Sequence, residues 1–414
     1  MAKKPPRSMA ETLARPPNKF LVLLTTTTVQ ALVTMNVVIP AAIAPEMAAM
    51  LEVEPAMVGI QIGIAYFGAA ALSAMSGTVV RRWGALRASQ LALMLSAVGA
   101  ALMAVPSLSV LAVGAVFCGL GYALTNPPAS HLLARVTTPT DRNFLFSVKQ
   151  TSVPLGGAAA GFMAPPVALT WGPQAPLIVG VAVTVAVALA MQPLRWSWDA
   201  DRDPAHSLKR NPLTEMAIMW HERRLRYYGF VAFCFAAMQL CLTTFTVTML
   251  VTDLGFGLIE AGIILAILQI ARVTGRLWWG WLADRIRDGN AALLMIALLS
   301  VVFALATSVL TAQSAHVWVY ALMALFSFAA VGWNGVFMAE IARIAPVDAT
   351  SKATGAVLVV SFAGILVGPP AFTATHAVLG TYTATFGVFA GVSALGGMYL
   401  CWLRRWERRH HAAQ

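Results

Sequence analysis

The stretch AGIILAILQIARVTGRLWWGWLADRIR, Ala261 to Arg287, opens as a long apolar run, carries Arg272 and Arg276 before that run ends, and closes in loop residues. A second stretch, VGIQIGIAYFGAAALSAMSGTVVRRWG from Val58 to Gly84, aligns with it at a single offset. Gly59-Ile60 meets Gly262-Ile263, and Gly77 meets Gly280. The repeat extends beyond this pair. Asn126 and Arg135 bracket the same nine-residue step as Asn334 and Arg343, and GFMAPP ending at Pro166 answers ILVGPP ending at Pro370. A chain built twice on one plan, with apolar segments of this length, predicts two similar helical bundles.

Composition fixes the solvent. The 414 residues are 59% hydrophobic and 11% charged, whereas a soluble domain is about a quarter charged. Windows of roughly 20 apolar residues, enough to span a ~30 Å hydrocarbon core as a helix, fall at about 20–44, 56–78, 87–105, 108–133, 145–170, 175–194, 226–252, 257–282, 289–310, 316–342, 352–378 and 381–403. They are rich in Ala, Leu, Met and Gly and lack the ten-residue alternation of a membrane barrel. The expectation is an all-α membrane protein with twelve transmembrane helices in two pseudo-symmetric six-helix bundles, 20–194 and 226–403. A tail (1–19), a central linker (195–225) and a basic tail (404–414) complete the chain.

The net charge of +11 invites a nucleic-acid reading, but its placement argues for topology. All Lys and Arg except Arg272 and Arg276 fall in the N-terminal tail, the even-to-odd connections, the central segment or the C-terminus. The connections near 45–55, 106, 172, 254, 313 and 380 hold none. Positive charge marks the cytoplasmic side, so both termini are expected inside an inner (plasma) membrane, with the lipid bilayer as partner and no nucleic acid. The four cysteines lie within predicted spans without a CxxC pair, so neither a disulfide framework nor a zinc site is indicated. The first apolar run is too long for a signal peptide and reads as a retained span. Within the linker, Asn211-Pro212 starts a helix whose apolar residues suit a cytoplasmic surface.

The loop GWLADRIRDG, Gly280 to Gly289, resembles the signature loop of the major facilitator superfamily, G-x-L-A-D-R-x-G-R, and GTVVRRWGALR from Gly77 is its degenerate twin. Twelve spans split six and six extend the resemblance over the whole chain. It implies a secondary transporter that works by alternating access, with gate residues Gly280, Asp284, Arg285, Gly77 and Arg82. An Asp at this place can attract the positive start of a helix in the other half, so Asp284 is expected to meet the start of span 5. Arg81 stands where the family Asp belongs in the first loop, which leaves a matching latch near span 11 in doubt.

The solute site of a six-plus-six carrier lies near the midplane between the halves. Gln269, Arg272 and Arg276 share one helical face, at ~12 Å depth for Arg272 and ~6 Å for Arg276. A charge in mid-membrane costs about 2.5 kcal/mol or more unless it meets water, a counter-charge or a solute. Arg276 is shallow enough to snorkel. The resemblance implies that span 5 lies across the central cavity from span 8, and there FSVKQTSVPLGGAAAG offers Lys149 and Gln150, although Lys149 also reads as an ordinary loop lysine. Lys149 with Arg272 forms the expected cationic clamp, with Gln150 and Gln269 as hydrogen-bond partners. Gln30, Asn36, Gln239, Asn126 and Asn334 complete the polar candidates. Asn126 and Asn334 serve equally well as bonds between helices.

Cations without nearby acids favour a small organic anion, a carboxylate above all. The alternatives are efflux of drugs or neutral metabolites, suggested faintly by the Gly- and Pro-rich span 5, and a non-transporting membrane sensor on a carrier fold. A proton and a counter-anion are the candidate coupling partners, with facilitated diffusion left open beside them. The proton candidates are His131 and Glu340, each with a competing structural reading: a core hydrogen bond for His131 and a local pair with Arg343 for Glu340. No enzyme motif and no cofactor is indicated.

Overall fold

The computed structural model describes residues 18–53, 55–207, 212–346 and 349–411, and every regular element among them is helical. Most of the predicted N-terminal tail, Lys209, Arg210 and the linker's Asn211 lie outside the described residues. The first half comprises α1 (Lys19–Ala42), α2 (Ala44–Leu51), α3 (Pro55–Ser73), α4 (Ser76–Trp83), α5 (Ala85–Met103), α6 (Leu108–Ala123), α7 (Asn126–Val136), α8 (Arg142–Gln150), α9 (Ser152–Trp171) and α10 (Ala175–Ala190). The linker holds α11 (Arg195–Trp198) and α12 (Pro212–His221). The second half comprises α13 (Arg223–Thr252), α14 (Leu258–Ile286), α15 (Gly289–Ser308), α16 (His316–Ala330), α17 (Trp333–Ile344), α18 (Thr350–Leu379) and α19 (Tyr382–His411).

Ten of these segments, with α6–α7, α8–α9, α10–α11 and α16–α17 each taken as one, are long and apolar enough to cross a membrane. The pair α3–α4, bent by 59°, makes an eleventh if it is one span. The remaining predicted window, the eighth at 257–282, falls on the 29-residue α14. Among the described residues α14 does not enter the count by length and composition, so that measure reaches eleven rather than twelve.

Within each half the helices pack on one another, α1 against α5 and α9, and α13 against α18 and α19. The halves meet mainly through two joints at the end that carries the basic loops. At one, α8 of the first half lies against α14 and α17 of the second. At the other, α18 of the second half lies against α3, α4 and α7 of the first. Both joints rest on glycine. A Cβ on Gly280 would lie 2.5 Å from the Ser147 Cβ and 2.9 Å from the Asn143 carbonyl, and one on Gly77 would lie 2.5 Å from the Lys352 Cα. Only a residue without a side chain permits backbones to approach this closely.

The linker is fastened to the first half. Asp199 accepts the N–H groups of Leu86 (2.7 Å) and Arg87 (3.1 Å), so a linker carboxylate caps the start of α5. The Asp203 N–H donates to the Arg81 carbonyl at 2.8 Å, and Arg82 Nη1 donates to the His206 carbonyl at 2.5 Å. Arg82, expected at the gate, is thus held by the linker. The predicted surface helix exists as α12 and packs on α13 and α18.

Candidate solute site between the halves

Besides span 2, bent between α3 and α4, three predicted spans break along their course. Span 4 breaks between α6 and α7, where Pro127 and Pro128 open α7 without N–H donors. Span 10 breaks at Val331-Gly332 between α16 and α17. Span 5 breaks at Thr151 between α8 and α9, and Pro154 supplies the reason. It cannot donate to the carbonyl four residues back, that of Gln150, and its ring crowds that carbonyl. The released oxygen is taken up from the other half, by Arg276 Nη1 at 2.6 Å. Arg276 Nε reaches the Val331 carbonyl at 3.4 Å, at the break in span 10. One buried guanidinium on α14 therefore bridges two broken helices in opposite halves.

Around Arg276 lies a cavity of about 70 Å³ lined from both halves. The first half contributes Gln30, Tyr66, Tyr122, Asn126 and Gln150, and the second contributes Gln239, Arg276, Trp333, Asn334 and Phe362. Each half organises its amides around one glutamine. Gln30 Oε1 accepts from Lys149 Nζ (2.5 Å) and Ser152 Oγ (2.9 Å), while Gln239 Oε1 accepts from Trp333 Nε1 and Asn334 Nδ2, both at 2.9 Å. The pseudo-symmetry in sequence is thus repeated in hydrogen bonding.

The structure places the remaining candidates as follows. Lys149 is buried and its ammonium also donates to Asn126 Oδ1 at 2.5 Å, so both of its partners are neutral oxygens of its own half. Lys149 is brought to Gln30 and Asn126, not to Arg272. Arg272 is buried one turn along α14 from Arg276 and donates through Nη1 to Gln269 Oε1 at 2.8 Å. Its Nε and Nη2 are buried without a partner among the described residues. None of Lys149, Arg272 and Arg276 forms an ion pair among those residues. Asn36, expected to face the cavity, lies inside the first bundle instead, where its Nδ2 donates to Ser96 Oγ and Thr184 Oγ1, each at 3.0 Å. Two hydroxyl partners on neighbouring spans hold its amide nitrogen without the cavity, while its Oδ1 is buried without a partner among the described residues.

His131 and Glu340 sit at the basic-loop end. His131 Nε2 lies 2.7 Å from Asp201 Oδ2, beside Arg135 Nη1 at 3.3 Å from the same oxygen. Buried Glu340 accepts from Arg343 Nη2 at 2.6 Å and from Tyr228 at 3.3 Å. Asp284 meets the start of span 5, where its Oδ1 accepts from Asn143 N (3.0 Å) and Nδ2 (2.8 Å) and its Oδ2 from Phe144 N (2.7 Å). Arg285 is exposed.

The sequence reading missed an aromatic cluster. Tyr66, Tyr122 and Phe362 gather across the halves with ring centroids 5.9–6.2 Å apart. One signal was available: the repeat sets Tyr66 opposite Gln269.

The family profile of the Major Facilitator Superfamily matches residues 26–369. A search of curated proteins returns no match to this sequence. Among solved structures, the human organic anion transporter MFSD10 (TETRAN) is similar at a TM-score of 0.76 and 16% identity, over 93% of this chain and 100% of that one. A variant of the E. coli fucose:proton symporter FucP matches at 0.73 and 15%, over 94% and 99%. The proton:xylose symporter XylE matches at 0.67 and 14%, over 92% and 95%. At these identities the likeness is one of fold. The profile match spans most of the chain, so this multi-pass membrane protein belongs to the Major Facilitator Superfamily, and it has the fold of a secondary transporter.

Proposed function

We propose that the chain carries a small organic anion, a carboxylate with an apolar or aromatic body, across an inner membrane by alternating access, with both termini cytoplasmic. One observation carries this reading. Arg272 is buried among spans and, among the described residues, has two guanidinium nitrogens unpartnered and no ion pair, one turn from the Arg276 that lines the cavity. A buried charged donor without an acceptor costs about 1–3 kcal/mol or more, and a carboxylate ligand supplies two acceptor oxygens in the geometry a guanidinium prefers. The rings of Tyr66, Tyr122 and Phe362 offer an apolar wall to the rest of the solute.

In this conformation the basic-loop end is closed by the α8 and α18 joints. Arg276 holds Gln150 across the halves, so opening toward the cytoplasm requires its bond to break. An anion that competes for Arg276 lowers that barrier, which links solute binding to the gate.

The test is uptake into vesicles containing the purified protein, with radiolabelled carboxylates, sugars and lipophilic cations compared side by side and a pH gradient or an internal counter-anion imposed in turn. A carboxylate is accumulated, and Arg272→Ala abolishes its uptake while the protein still inserts and folds. Normal carboxylate uptake by that variant overturns the reading. Transport of lipophilic cations alone favours drug efflux, and binding without movement favours a sensor.

A further inference from the structure

Outside the solute cavity, at the end bearing the basic loops, lies a larger pocket of about 590 Å³. Its charged lining comes from two sources. Arg82 and Arg87 flank the turn between α4 and α5, and Arg195 and Arg202 come from the linker. Among the described residues no Asp or Glu lines it. The nearby carboxylate of Asp199 accepts from the N–H groups of Leu86 and Arg87, and its charge also acts on Arg195, which leaves it to offset one of the four arginines in part. Among the described residues none of these four arginines forms an ion pair, and the Arg195 Nε is buried without a partner. Like charges gathered in this way repel one another unless an anion sits among them.

The remaining lining points to the class of anion. Leu91 and Met94 lie on the same face of α5 as Arg87, four and seven residues on, hence ~6 and ~10 Å farther toward the bilayer centre. Met94 and Trp83 are exposed. Gln90 fixes the wall between them, donating to the Ala188 carbonyl at 2.8 Å and to Gln192 Oε1 at 3.0 Å while accepting from Arg87 Nη1 at 3.0 Å. A soluble phosphate would use only the arginine rim. A ligand with a phosphate head and an acyl chain uses both levels, and the turn after span 2 stands at the depth of lipid headgroups.

We infer that this pocket binds the phosphodiester headgroup of an anionic phospholipid, with Arg82, Arg87, Arg195 and Arg202 around the phosphate and Leu91 and Met94 along the first part of an acyl chain. Bound there, the lipid joins the linker to the first half at the place where Arg81, instead of Asp, follows span 2. An anionic bilayer then braces the first half beside the α18 joint.

The experiment uses the full chain in detergent. Retained lipid is counted by native mass spectrometry, and melting is followed with added phosphatidylglycerol, phosphatidylcholine or inorganic phosphate. Phosphatidylglycerol is expected to be retained and to raise the melting temperature well beyond phosphatidylcholine. Arg195→Gln/Arg202→Gln should weaken its binding by about tenfold or more, two arginine charges that face the headgroup having been removed. The mirror pair Arg285→Gln/Arg287→Gln, with the same change in net charge, should leave binding as it was. If the double variant does not fold, Arg202→Gln alone carries the comparison, since that side chain makes no hydrogen bond or ion pair among the described residues. Equal effects of both lipids, equal binding by the pocket and mirror variants, or equal stabilisation by inorganic phosphate overturns the inference, the last by assigning the site to a soluble anion.

Discussion

The carboxylate of Asp284 receives the main-chain N–H groups of Asn143 and Phe144, at 3.0 and 2.7 Å, so an acid at the end of span 8 caps the helix that begins span 5 in the opposite half. Both bonds are charge-assisted and use donors left free at a helix start. Asp284→Asn keeps one acceptor oxygen and loses the charge. The closed basic-loop end should be destabilised by about 1.5–3 kcal/mol relative to its open alternative, a shift of about tenfold or more in population. Spin-label distances between positions 140 and 286 should lengthen or broaden in the variant. An unchanged distance distribution would show that the cap does not hold the gate.

The glycine joint predicts a rescue. Gly280→Ala places a methyl against Ser147, whose Cβ would be 2.5 Å away, and against the Asn143 carbonyl at 2.9 Å. Overpacking of this kind costs about 1–3 kcal/mol, and here it falls on the closed state. Uptake by Gly280→Ala should drop several-fold, and Ser147→Gly in the same chain should restore part of it by removing the nearer of the two obstacles. Failure of the second change to restore any activity would mean that the loss arises elsewhere.

A pH effect is expected at the linker. Burial pushes the Asp201 carboxyl upward, but the His131 hydrogen bond and the charges of His131 and Arg135 outweigh it and hold Asp201 below the usual carboxylate range. A carboxylate with a depressed value in the folded state adds stability above its unfolded value, near ~4, and that stability is lost as pH falls through the folded value. Melting temperature should therefore decline as the medium is acidified below ~4, and Asp201→Asn should lower it at neutral pH while flattening that part of the decline. The same acid-dependent loss in Asp201→Asn would assign the effect to another group.

Much of this was legible in the chain. Hydropathy located the spans, and the aligned halves paired Asn126 with Asn334. The structure sets that pair, and Gln30 with Gln239, in the same cavity from opposite sides. Asp284 against span 5 was legible because a helix start has a fixed electrostatic character. The partners of the cations were not. Lys149 appeared as half of a clamp with Arg272, but its ammonium is held by Gln30 and Asn126. Arg276 appeared as the shallow arginine able to snorkel, yet it is the one that bridges the halves.

The sequence by itself determined the helices, their order, their twofold plan and the faces that carry polar side chains, because these follow from residue spacing and from the cost of exposing polar groups to lipid. Only the tertiary structure decided which polar group meets which. A period along one helix says nothing of the neighbour it faces, and the carbonyl that Arg276 takes exists as a free acceptor only because Pro154 breaks span 5 against a second bundle.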